Sequence, residues 1–136
     1  METETLTEIN SSVDIVTARQ RGRALALELG FNGADVTLIA AAISEVARNI
    51  VDHAKKGEVL MSSVQSSANG GRRGIQIVAR DEGPGIRDVA QAMQYGYSTR
   101  KGLGVGLPGA KWLMDEFDIA SAVGRGTTIT MKKWKR

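Results

Sequence analysis

Between Asn32 and His53 the apolar positions Val36, Ile39, Ile43, Val46 and Ile50 recur at steps of three and four, which lines them along one face of an α-helix. Asn32 stands where an N-cap belongs and Asp35 falls in the first turn. Upstream, Ser11 and Asp14 have capping-box spacing. Ile15, Val16, Ala18, Leu25 and Leu29 then carry a second helical stripe from Ser11 to Leu29, weakened by Gly22 and stopped at Gly30. Residues 3–10 alternate loosely and predict a short leading strand. Glu58–Val64 and Ile75–Ala79 are β-prone runs whose connection contains Asn69-Gly70, a favoured hairpin dipeptide. Residues 81–106 show no sustained period beyond a helical turn or two near Arg87–Gln94. Leu107, Ala110, Leu113, Met114 and Phe117 then predict a helix from Val105 or Leu107 to Phe117. Two strands close the chain, about 118–123 and 127–134, joined by Gly124-Arg-Gly126.

Hairpin connections imply an antiparallel or mixed sheet with the helices gathered on one face, an α+β two-layer sandwich. A length of 136 residues predicts one domain, 1–136, and 42% hydrophobic residues supply a core without staples. The absence of cysteine excludes a disulfide framework, a thiolate zinc site and a cysteine nucleophile. The single histidine, His53, excludes a two-histidine metalloprotease motif and reads as a helix-end residue. The longest apolar run, Leu38–Ile43, is six residues, far short of the roughly 20 needed to span a bilayer, so no membrane partner is expected. The acidic amino terminus has no apolar signal region, and a cytoplasmic location follows as the expectation. Lys132, Lys133, Lys135 and Arg136 more than account for the net charge of +3. They read as a solvated tail, and no nucleic-acid partner is expected.

Glycine changes the picture, because nine of the 16 lie between Gly83 and Gly126. Gly104-Val-Gly106-Leu-Pro-Gly109 has the letters of a dinucleotide fingerprint, but no strand directly precedes it and Pro108 falls where the helix should be forming. A P-loop fails as well: the lysine, Lys111, is one position late and is followed by Trp112 instead of Ser or Thr. What the cluster offers is backbone N–H groups at a helix start, which suit phosphate. Glu45 and Asn49 stand four apart on one helical face, with Asp52 and His53 a turn further on. Asp81-Glu-Gly83-Pro-Gly85 directly follows a strand, and Gly124-Arg-Gly126-Thr127-Thr128 opens another.

Taken in order, Glu-x-x-x-Asn, Asp-x-Gly-x-Gly, Gly-x-Gly-x-Gly and Gly-x-Gly-Thr resemble the N box and three glycine boxes of the GHKL ATP-binding superfamily, whose Bergerat fold is a two-layer α/β sandwich with a mixed sheet. The small size, with Ile43-Ser-Glu-Val-Ala-Arg-Asn-Ile50 and Leu113-Met-Asp-Glu-Phe117, is similar to the bacterial serine/threonine kinases that act on STAS-domain proteins of the stressosome. The resemblance implies ATP and Mg2+. It places Asp81 at the adenine amine with Gly83 and Gly85 beside it, Asn49 on the metal, and Glu45 as the base that takes the proton of the attacking hydroxyl. Gly102, Gly104, Val105 and Gly106 would cradle phosphate, Arg100 and Lys101 would neutralise it, and Thr127 or Thr128 would help hold the adenine side. The implied partners are STAS-domain substrates and a PP2C-type phosphatase that the kinase activates once released. The alternative within the same superfamily is an anti-sigma factor kinase that sequesters a sigma factor. Anti-sigma kinases more often carry Asn-Ala at the N box, where this chain has Asn49-Ile50.

Overall fold

The computed structural model describes residues 4–67, 70–86, 89–93 and 106–136. After a first strand, β1 (Glu4–Ile9), the Asp14 carboxylate accepts hydrogen bonds from the Asn10 and Ser11 N–H groups at 2.8 and 3.1 Å and opens helix α1 (Ser12–Glu28). That helix closes in a Schellman turn: Gly30 N–H donates to Leu27 O at 3.0 Å and Phe31 N–H to Ala26 O at 3.1 Å. Asn32 Oδ1 then accepts from Asp35 N–H at 2.8 Å and starts α2 (Gly33–His53), whose Val36, Ile39, Ile43, Val46 and Ile50 are all fully buried. Gly22, a weakness in the isolated helix, is what lets α1 lie close on α2, because an added Cβ would run into Ile43 Cδ1.

The hairpin forms from β2 (Gly57–Ser66) and β3 (Arg72–Asp81). A single helical turn, α3 (Val89–Ala92), and helix α4 (Gly106–Leu113) lead to β4 (Glu116–Ala122) and β5 (Gly126–Trp134). The sheet order is β1-β2-β3-β5-β4. All four ladders are antiparallel, which narrows the expected antiparallel or mixed sheet to the former. Alternate residues of the strands, among them Val59, Met61, Ile75, Ile77, Ile129 and Met131, join the buried faces of α1, α2 and α4 in one core, so the helices cover one side of the sheet.

Two expectations are corrected. The last helix ends at Leu113 and not at Phe117: Asp115 N–H donates to Lys132 O at 2.9 Å and Phe117 pairs with Met131, so sheet pairing overrides a helical spacing that runs on through the sequence. The basic tail is also not simply solvated. Lys133 is only 6% exposed and its Nζ donates to Leu113 O at 2.8 Å, a cation on the carbonyl end of α4, while Trp134 is buried. Asn69 of the hairpin connection and residues 87, 88 and 94 of the expected helical turns near Arg87–Gln94 lie outside the described residues, and within that stretch Val89–Ala92 forms the turn α3.

Candidate functional site

Helix α2 presents Glu45 and Asn49 on the same face, one turn apart, and α4 meets that face at its first residue. Gly106 N–H donates to Glu45 Oε1 at 3.2 Å, joining two segments 61 residues apart in the chain. The other oxygen, Oε2, receives Arg48 Nη1 at 3.3 Å. Glu45's side chain is 12% exposed and that of Arg48 26%, so the carboxylate is held from two sides near the surface. Asn49 is half-buried, and its side chain makes no hydrogen bond with the described residues. His53 is the exposed last residue of α2, as its helix-end reading implies.

The other part of the site is built at the end of β3. Asp81 pairs in register with Thr127 of β5, and directly opposed residues share a face, so both stand on the helix-covered side. Asp81 is 9% and Thr127 5% exposed. Thr128 is opposite Arg80, on the outer face, which separates the two threonines that the sequence left open. Past Asp81 the chain turns back: Gly83 N–H donates to Asp81 Oδ1 at 2.9 Å. A Cβ on Gly83 would lie 2.5 Å from Ala54 Cβ at the end of α2, so only glycine lets this loop close over the helix. Gly85 (φ +78°) lies against Ala122 O, and Gly126 (φ +98°) lies against Asp81 O. Both backbones are in the left-handed region with no room for a side chain.

Ser121, which sequence reasoning missed, ties the loop to β4 and β5. Ile86 N–H donates to its Oγ at 2.7 Å, Oγ lies 3.1 Å from Gly126 O, and it is 2.8 Å from Thr127 Oγ1. Gly124 N–H donates to Pro84 O at 2.8 Å across the same gap. A lone serine in an alternating strand gives no sequence signal for this role. Arg48, missed as well, lines an open groove between α1 and α2 with Arg19, Arg23, Ser44 and Glu45.

The structure thus brings Glu45 to the first residue of α4, with Asn49 one turn further along α2, and Asp81, Gly83, Gly85 and Thr127 to one end of the sheet beside the end of α2. Arg100, Lys101, Gly102, Gly104 and Val105 lie outside the described residues. Among the described residues no cluster of three or more His, Asp or Glu side chains could cage a metal. The amide oxygen of Asn49 is a hard donor of the kind magnesium accepts, and a single protein ligand would leave the other positions to nucleotide phosphates and water. No described helix is long and apolar enough to cross a membrane.

The histidine kinase-like ATPase domain family matches residues 10–133. The serine/threonine-protein kinase RsbT of Bacillus subtilis is 47% identical over 136 residues, covering 100% of both chains. The anti-sigma F factor of a Thermoanaerobacter species is 29% identical over 120 residues, 86% of this chain and 82% of that one. Among solved structures, the RsbU and RsbW domains of a Mycobacterium tuberculosis protein share the fold at a TM-score of 0.62 and 22% identity. This chain is covered completely there but spans only 33% of that longer one. The chain belongs to the histidine kinase-like ATPase domain family and is a serine/threonine-protein kinase of the RsbT type.

Proposed function

We propose that this kinase transfers the γ-phosphoryl group of Mg-ATP to a serine or threonine of a STAS-domain protein and, once released, activates a PP2C-type phosphatase in a bacterial partner-switching pathway. The observation that carries the reading is the Glu45–Gly106 hydrogen bond, which sets a carboxylate beside the helix start suited to phosphate. Support for the partner class comes from end-to-end similarity to RsbT.

Apart from Arg100 and Lys101, which lie outside the described residues, the roles fall on residues that the structure places. Asp81, fixed by Gly83 N–H, would accept the adenine amine through a carboxylate oxygen, with Thr127 beside it. Asn49 would lend its amide oxygen to magnesium, which supplies charge neutralisation at the phosphates when bound. Gly106 N–H and the α4 dipole would face phosphate oxygens, and Arg100 and Lys101 would add positive charge. As the hydroxyl oxygen bonds to the γ-phosphorus, the bond from phosphorus to the ADP oxygen breaks and the hydroxyl proton passes to Glu45. The open groove with Arg19, Arg23 and Arg48 gives an acidic protein segment a route to that carboxylate.

The test is transfer of labelled γ-phosphate from Mg-ATP to STAS-domain proteins, run beside capture of a PP2C-type phosphatase and a sigma factor. Transfer with phosphatase capture is expected. The second reading, an anti-sigma kinase, is favoured by the similarity to anti-sigma F factors, and sigma capture without phosphatase capture would establish it.

A further inference from the structure

We infer that Arg48 is a positioning residue for the catalytic carboxylate, the group that keeps Glu45 in place when nucleotide occupies the site. The inference rests on the reading of Glu45 as the base. Both oxygens of Glu45 are engaged: Oε1 by Gly106 N–H at 3.2 Å and Oε2 by Arg48 Nη1 at 3.3 Å. The two partners differ in kind. Gly106 N–H opens α4, where the helix dipole and free amides suit phosphate, and a single N–H cannot serve a phosphate oxygen and Glu45 fully at once.

A nucleotide phosphate at the start of α4 therefore competes with Glu45 for Gly106, and Arg48 is the contact that survives the exchange. Its position suits that task. Arg48 lies on the same helix as Glu45, three residues on, so the pair does not depend on how α4 sits. It also lies between Glu45 and the proposed metal ligand Asn49 in sequence, and lines the groove that opens onto the carboxylate. A pair at this spacing, with the arginine partly exposed, adds little to fold stability, so its loss should appear in the reaction and not in the melt. Arginine's planar fork fixes the direction of a carboxylate, whereas a lysine supplies only a point charge. Arg48 does not touch the reacting atoms in this scheme; it acts through Glu45.

The experiment compares Arg48→Met, Arg48→Lys and Glu45→Gln in the full chain, using labelled Mg-ATP and the STAS-domain protein that accepts phosphate from the unmutated kinase. Arg48→Met should lower kcat by about 10- to 100-fold with the KM for ATP and the melting temperature unchanged. Arg48→Lys should recover part of the loss. Unaltered kcat in Arg48→Met, while Glu45→Gln abolishes transfer, would overturn the role of Arg48 and leave the base standing. A raised KM for ATP or a lowered melting temperature in Arg48→Met would make it a nucleotide contact or a structural residue and would equally overturn the inference. Transfer that survives Glu45→Gln would remove the base itself, and the inference with it.

Discussion

At the Trp134 end of the β3–β5 ladder Asp115, Glu116 and Lys133 are bonded to protein groups, and at the Asp81 end the carboxylate keeps acceptor capacity to spare. Asp115 accepts Trp134 N–H at 2.8 Å and Arg136 Nη2 at 3.0 Å, Lys133 caps α4 through Leu113 O at 2.8 Å, and Trp134 Nε1 donates to Glu116 Oε2 at 2.6 Å. Every one of these charges has a protein partner, and together they clasp the last strand to the end of α4. At the other end Asp81 accepts the Gly83 N–H and has no cationic partner among the described residues. Backbone turns and glycine contacts fix it there. A carboxylate aimed by the main chain, with acceptor capacity to spare, is suited to a ligand's donor, whereas one bracketed by cations is spent on the fold. The same ladder thus ends in a site on one side and a structural clasp on the other.

That contrast predicts opposite phenotypes, largest first at the site. Asn49→Ala should abolish magnesium-dependent ATP binding, a loss of about 100-fold or more, with the melting temperature kept; calorimetric titration with and without magnesium reads it. Unchanged affinity would withdraw Asn49 as the metal ligand. Lys133→Met should do the reverse. Losing the charged donor on a part-buried helix-end carbonyl costs about 1–3 kcal/mol, which denaturant unfolding measures, while ATP affinity stays as it was.

Asp115→Asn is the smallest and the most specific to pH. Burial works against the Asp115 charge, but the Arg136 and Trp134 hydrogen bonds and the nearby Lys133 outweigh it and hold the carboxyl below its usual value. A lowered folded-state value means that the stabilisation is complete above the unfolded carboxylate value of about 3.9 and is lost as pH falls through the folded one. The unmutated protein should therefore lose this contribution only in acid, and Asp115→Asn should flatten that acid limb. An acid limb of unaltered steepness in the variant would assign the dependence to other carboxylates.

Legibility followed how local each determinant is. Helices α1 and α2 were readable because their caps and apolar stripes lie within a few residues of one another, and β5 because its alternation is clean. The end of α4 was misread because Met114 and Phe117 continue a helical spacing, and only pairing with β5, distant in sequence, places Phe117 in a strand. Lys133 looked solvated because it sits in a basic chain end, whereas its burial depends on where Leu113 O falls. Around the site, Glu45, Asn49, Asp81 and the glycines stood out as an ordered set of spacings. Arg48 did not, because an i,i+3 charge pair on a helix is ordinary surface patterning and carries no mark of a site, and Ser121 did not, because its partners are defined only once β4, β5 and the loop after β3 have come together.

The most direct test of the contrast is ATP titration of Asp81→Asn beside a thermal melt. The substitution keeps the size of the side chain and can keep its bond from Gly83 N–H, so the melting temperature should hold. Affinity for ATP should fall by about 10- to 100-fold, the value of a hydrogen bond to a charged group, and the unmutated protein should prefer ATP to GTP. Full ATP affinity in Asp81→Asn, with no preference between ATP and GTP before mutation, would contradict the account and take the adenine site away from this end of the sheet.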